Sequence, residues 1–333
     1  MTQSLSQTPA RSRSHFDPFA FLSRYGTLIA LLLLILFNLL FTRNFTTLQT
    51  LNVNLTQVCT IVIVAVGMTL VIGTGGIDLS VGSIMAISGA LAPMIFLGTI
   101  MPVSNIAVSV TAAMVAAVLV ATLLGLFNGW LVAYFRIQPI VATLVLFIAG
   151  RGIAQVLTNG NLQVFRLPEF QWIGLGRPFG IPAQVIIMAV IVLLAAWMLR
   201  RTVFGRSILA TGGNERAAEL AGVPVNGVKL AVYAISGFCA GIAGLIVIAI
   251  NSASDANLVG MGMELDAIAA VAVGGTLLTG GKATIVGTLI GALTIQLVRY
   301  TLLANGVPDA AALVVKAAII IVAVWLQQQG RVR

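Results

Sequence analysis

The sequence predicts an all-α, polytopic membrane protein, and three observations lead there: 59% of the residues are hydrophobic, only 8% are charged, and mean hydropathy is +1.08. Soluble domains carry about 25% charged residues, so lipid must be the main solvent of this chain. A bilayer core about 30 Å thick takes roughly 20 apolar residues per helix. Charge-free stretches run from Tyr25 to Thr42, Asn44 to Ile77, Leu79 to Phe135, Pro178 to Leu199 and Leu230 to Ser254, the third long enough for two spans. Backbone amides need internal partners in hydrocarbon, so only helices and closed barrels span. Continuous apolar runs exclude the alternating pattern of a barrel.

Breakers divide these runs into about ten transmembrane helices, near 26–42, 50–73, 80–100, 105–134, 138–157, 184–199, 229–251, 262–278, 284–303 and 310–328. Residues 1–24 are polar, with Arg11, Arg13, His15 and Arg24, and predict a disordered cytoplasmic tail. The hydrophobic run that follows is too long and too poorly terminated for a cleaved signal peptide, so the first span is uncleaved. The membrane domain then covers 25–328, and 329–333 form a cytoplasmic C-terminal tail. With the N-terminus in the cytoplasm, the inside receives twelve of the eighteen Lys and Arg residues: Arg11, Arg13, Arg24, Arg136, Arg200, Arg201, Arg206, Arg216, Lys229, Lys282, Arg331 and Arg333. The positive-inside rule favours that orientation.

The net charge of +9 follows from these scattered helix-end residues, without the basic, aromatic-flanked face that nucleic acid requires. Cys59 and Cys239 both lie in apolar runs and read as small packing residues, not a disulfide. Two hydrophilic connections stand out. Residues 158–183 fall outside, where Trp172, Phe170 and Phe179 read as an interfacial aromatic anchor. Residues 200–228 fall inside, form the most charged segment, and are long enough to be functional.

An internal echo joins the halves: TGGIDLSVGS at 74–83 and TGGKATIVGT at 279–288 share Thr-Gly-Gly, then Val-Gly, then a hydroxyl residue, at one spacing. Corresponding Gly-interrupted segments in two halves mark the substrate site of many transporters. Chance recurrence among abundant small residues is the other reading. In the first segment Gly73, Gly75 and Gly76 precede Asp78, the single acid between Asp17 and Glu169. Glycines weaken a helix by about 1 kcal/mol each, which predicts a broken helix end. A new helix near Ser80 would place Asp78 at its N-terminus, where an acid caps free amides. An acid near hydrocarbon is also a functional candidate, and the topology sets Asp78 toward the cytoplasmic side, within reach of water, so it either caps the helix or contacts the transported solute directly, lining an inner gate.

In the cytoplasmic loop, Asn214 can cap a short helix from Glu215 to about Ala221, with Gly222 as its left-handed stop. A helix of two turns is marginal alone, so it either docks on a partner or remains a solvated turn. Asp255, Glu264 and Asp266 gather at the external mouth of a span rich in Ala, Val and Gly. Glu264 and Asp266 cannot share one helix face, so one faces an external partner and the other the pathway or a basic residue. Arg151 either pairs with them or snorkels to the interface.

Catalytic patterns are missing: the one histidine lies in the tail, and there is no metal-ligand cluster, no Gly-x-Ser-x-Gly and no His-Glu-x-x-His. Gly280-Gly281-Lys282 resembles a phosphate loop, but Thr276 stands at the first glycine position and Ala283 follows the lysine. The sequence therefore predicts no enzyme, no metal and no cofactor on this chain.

GMTLVIGTGGIDLSVGS (67–83), GGNERAAELAGV (212–223) and ELDAIAAVAVGGTLLTGG (264–281) together resemble the permease family of ribose, xylose, arabinose and galactofuranose ABC importers, across residues 25–328. GLFNGWLVAYFRIQPIVATL (125–144) and AGRGIAQ (149–155) are most similar to its galactofuranose branch. The resemblance implies an inner-membrane subunit that translocates a monosaccharide by alternating access. It also implies a second permease subunit, identical or homologous, a cytoplasmic ABC ATPase that holds the ATP and Mg, and a periplasmic sugar-binding protein. Glu215, Ala217, Ala218 and Gly222 match the family's ATPase-coupling helix, although the broader pattern is only partly kept; Asn214 and Glu219 complete that segment. Gly75, Gly76, Asp78, Ser80, Asn128 and Asp266 are assigned to the translocation path or gate, and Asp255 and Glu264 to binding-protein docking. An ion-coupled secondary transporter is the alternative, which would set charges near mid-membrane.

Overall fold

The computed structural model describes residues 18–100, 105–308, 310–315, 317–319 and 321. Most of the two predicted tails, 1–17 and 329–333, lies outside the described residues. Helix α1 is Pro18–Phe41, so it begins earlier than the predicted end of the N-terminal tail. Then follow α2 (Leu48–Gly73), α3 (Val81–Phe96), α4 (Ile106–Ala133) and α5 (Pro139–Leu157). The 158–183 connection holds strand β1 (Gln163–Val164), α6 (Pro168–Leu175) and a 3-10 turn at Pro178–Gly180. Helix α7 (Ala183–Arg201) leads into the two short helices α8 (Val203–Gly213) and α9 (Glu215–Leu220). The second half carries α10 (Val225–Asn251), strand β2 (Ala253–Ser254), α11 (Met263–Val273) and α12 (Ile285–Ala304).

Six of these helices, α2, α4, α5, α7, α10 and α12, are long and apolar enough to cross a bilayer. The expected count of about ten complete crossings is not confirmed. Helix α3 has 16 residues and α11 has 11, about 24 and 16 Å of rise against a core about 30 Å thick. The stretch near 262–278, apolar after Asp266, reads as a whole span, yet its glycines release the chain after Val273, and Gly275 adopts φ +81°.

Helix α2 is apolar all round and lies at the centre: 83% of its most apolar window is buried, against 28% for α4 and α5 and 22% for α7. It packs on α7, α10, α11 and α12. Helix α10 packs on α4 through small residues that let backbones approach. A Cβ on Gly125 would sit 2.3 Å from the Tyr233 carbonyl oxygen, and one on Gly237 2.4 Å from that of Ala121.

Strands β1 and β2 pair antiparallel, and α6 packs on α10 and α7. Phe170, expected at the interface, is instead fully buried in a cluster with Phe96 and Phe165, whose rings lie 5.0 and 5.5 Å from it. Trp172 and Phe179 are exposed. Cys59 and Cys239 are both free and buried, as packing residues should be.

Candidate functional site

Helix α2 ends where Thr74 turns back, its hydroxyl donating to the Val71 carbonyl at 2.7 Å, and Gly75 follows at φ +84°. The chain then runs without helix to Ser80, the N-cap of α3. Such non-helical backbone inside a membrane protein needs protein partners, and α5 and α10 supply them. Thr143 of α5 accepts from the Leu79 amide at 3.1 Å, and Tyr233 of α10 donates to the Ile77 carbonyl at 3.3 Å.

Asp78 is the anchor. Its Oδ1 accepts from the Ser80 amide at 3.0 Å and the Ser80 hydroxyl at 2.6 Å, while Oδ2 accepts from the Ser236 hydroxyl at 2.7 Å. Asn128 of α4 donates to Ser80 Oγ at 2.7 Å, so one carboxylate ties the break to α4 and α10. The side chain is fully enclosed. Its partner Ser236 stands eleven residues into α10, about 16 Å along the helix from Val225. The carboxylate therefore lies well inside the bundle and not, as the sequence suggested, where water hydrates it.

The second break, 274–284, repeats the first. Gly280 takes φ +86°, matching Gly75 of the other Thr-Gly-Gly at +84°. The two segments touch: the Gly281 amide donates to the Gly73 carbonyl at 3.1 Å, and a Cβ on Gly280 would lie 2.8 Å from the Gly75 nitrogen. The sequence echo thus marks corresponding broken segments, brought to one end of the bundle.

At that same end the cap predicted for α9 is formed. Asn214 Oδ1 accepts from the Ala217 amide at 3.0 Å, and Gly222 closes the helix at φ +83°. Ala218 is buried, while Asn214, Glu215, Ala217 and Glu219 are exposed. Lys229 holds Glu215 at 2.7 Å. Between α9 and the first break opens a cavity of about 670 Å³, lined among others by Gly75, Gly76, Arg136, Glu215, Lys229 and Tyr233.

Asp255, Glu264 and Asp266 do not share a mouth. Beyond β2 the chain descends along α3: a Cβ on Gly89 would meet Val259 and Ser254, and one on Gly82 would meet the Gly260 carbonyl and Glu264 Oε2. Arg151 supports this descent by donating to the carbonyls of Ala256 at 2.9 Å and Val259 at 2.6 Å. It forms no close ion pair with Glu264 among the described residues. Asp255 turns the segment, its Oδ1 accepting from the Asn257 amide at 2.8 Å. Glu264 is buried against α3, and Asp266 is half-buried. Sequence reasoning missed Tyr233 and Ser236, although two hydroxyl side chains three apart on one face of an apolar helix are the available signal. Among the described residues no group of three His, Cys, Asp or Glu gathers to hold a metal.

Comparison with known proteins gives one family match, described as branched-chain amino acid transport system permease component, over residues 51–324. The chain is 43% identical to the ribose import permease protein RbsC of Escherichia coli over 93% of its own length and 95% of that protein. It is 43% identical to the galactofuranose transporter permease protein YtfT of the same organism, over 83% and 78%. With the L-arabinose ABC transporter permease protein AraH of Azospirillum brasilense it shares 33% identity over 97% and 92%. No solved structure matches.

Proposed function

We infer the function from one premise: the chain belongs to the family described as branched-chain amino acid transport system permease components. Within it, we propose the transmembrane permease subunit of an ABC importer for a monosaccharide. The observation that carries this is near full-length similarity at 43% identity to a ribose import permease. Identity does not separate the ribose from the galactofuranose branch, so the sugar is a pentose or hexose and the branch stays open. The ion-coupled alternative gains nothing from these relatives.

The protein crosses the inner membrane several times, and we place its N- and C-termini in the cytoplasm. In that orientation α9, capped and exposed, presents Glu215, Ala217, Glu219 and Gly222 to a cytoplasmic ABC ATPase, which supplies ATP and Mg. The opposite end, with Asp255, receives a periplasmic sugar-binding protein. A second permease subunit completes the pathway, and alternating access moves the sugar along it. The subunit contributes a path with two conformations and no chemistry; each partner shifts it only by its differential affinity for them.

The test is uptake of radiolabelled D-ribose, L-arabinose, D-fructose and D-galactose in cells with and without this chain, beside its own ATPase and binding protein. Loss of uptake of one sugar on deletion, restored by the chain, supports the reading. Unchanged uptake of all four, or uptake that survives ATP depletion, refutes it.

A further inference from the structure

The backbones of three separate segments cross at one point beneath the bundle. Gly212, in the last turn of α8, lies on the end of α2: a Cβ there would stand 2.0 Å from the Gly73 carbonyl oxygen and 2.5 Å from the Gly281 nitrogen. A Cβ on Gly280 would lie 2.9 Å from the Gly212 carbonyl oxygen, and one on Gly73 would lie 2.9 Å from Ile208 of α8. Since the Gly281 amide also bonds to the Gly73 carbonyl, the two broken segments and α8 form one backbone-on-backbone contact. Only glycine permits such an approach.

This crossing is joined directly to α9. Asn214 is at once the C-cap of α8 and the N-cap of α9, so a single residue separates the helices. Ile208 is fully buried and Thr211 nearly so, which fixes α8 against the bundle, while α9 remains exposed. Close-packed contacts with no flexible side chain between them transmit displacement instead of absorbing it.

We propose that Gly212 is the positioning residue through which α9 drives both broken segments together, so that one push at the cytoplasmic end acts on the two halves simultaneously. This rests on the importer reading, whose failure is visible separately. The joint requires contact between α8 and Gly73 without intrusion; it needs neither a ligand nor a charge.

The experiment uses the full complex of permease, ATPase and binding protein in nanodiscs, with Thr279→Cys as an exposed reporter on the second break. Cys59 and Cys239 are buried, so maleimide labelling reads the introduced thiol, and protection of the native pair certifies the fold. The labelling rate is expected to change at least fivefold on adding a non-hydrolysable ATP analogue. Gly212→Ala should reduce that response to less than twofold and sugar uptake at least tenfold, with the native thiols still protected. Gly213→Ala, whose Cβ meets nothing within 4 Å, should behave as wild type. If Gly212→Ala exposes the native thiols, Ile208→Ala, which loosens the same contact by removing atoms, should reduce the response at least fivefold.

A response that survives in Gly212→Ala, or in Ile208→Ala where the first variant does not fold, overturns the joint, as does an equal loss in Gly213→Ala. A wild-type complex that hydrolyses ATP in a sugar-dependent manner while Thr279→Cys stays indifferent to nucleotide also overturns it. A wild-type complex with no sugar-dependent hydrolysis overturns the importer reading instead.

Discussion

Replacing Asp78 by Ala removes an acceptor from three buried donors: the Ser80 amide, the Ser80 hydroxyl and the Ser236 hydroxyl. An orphaned buried donor costs about 1–3 kcal/mol, more against a charged partner. The three share one carboxylate and do not add fully, so the total is about 3–6 kcal/mol. Asp78→Asn keeps the Oδ1 interactions and asks the Ser236 hydroxyl only to reorient as an acceptor, about 1 kcal/mol. Thermal unfolding in detergent, followed by maleimide reaction of Cys239, reports locally, because Cys239 stands three residues beyond Ser236 on α10. Asp78→Ala should unfold on the order of 10 °C below wild type and Asp78→Asn within a few degrees. Sugar uptake by Asp78→Asn should stay within about threefold of wild type, a factor worth under 1 kcal/mol. Abolished uptake with the thiol still protected would refute the structural role and return Asp78 to the sugar pathway.

Other outcomes follow from the same geometry. Gly125→Ala drives a methyl into the Tyr233 carbonyl and should destabilise by about 1–3 kcal/mol. Gly152→Ala on α5 meets open space and should be neutral or slightly stabilising, as Ala is the better helix former by about 1 kcal/mol; paired melting curves check both. Arg151→Ala strands the Ala256 and Val259 carbonyls and should cost about 2–4 kcal/mol, measured by the same melts. Lys229→Ala breaks a pair whose Glu215 side chain is 54% exposed, worth under about 1 kcal/mol, so stability should hold. Glu215→Lys should cut sugar uptake at least tenfold at unchanged expression, read by labelled-sugar transport.

Long apolar runs made most helix positions legible, because burial in lipid leaves a continuous signal that breakers punctuate. The α9 cap was legible from Asn214 and Gly222, whose turn chemistry is local. Helix α11 was not: hydropathy records that 262–278 avoids water but not that its chain begins inside the bundle, beside Gly82, after descending from Asp255. The same descent carried Glu264 inward, where charge patterning alone had set it at the mouth. The echo of Thr-Gly-Gly showed that two segments correspond; their contact with each other and with Gly212 is a tertiary fact that no local pattern contains. Phe170 read as an anchor because its fold partners, Phe96 and Phe165, come from separate elements.

ATP hydrolysis by the reconstituted complex, measured across pentoses and hexoses in both ring forms, decides whether the chain is an importer subunit. Strong stimulation by one sugar is expected, only with the binding protein present, and Glu215→Lys should lose that stimulation. Failure of the chain to assemble with the ATPase, or hydrolysis indifferent to both sugar and binding protein, would contradict the importer reading.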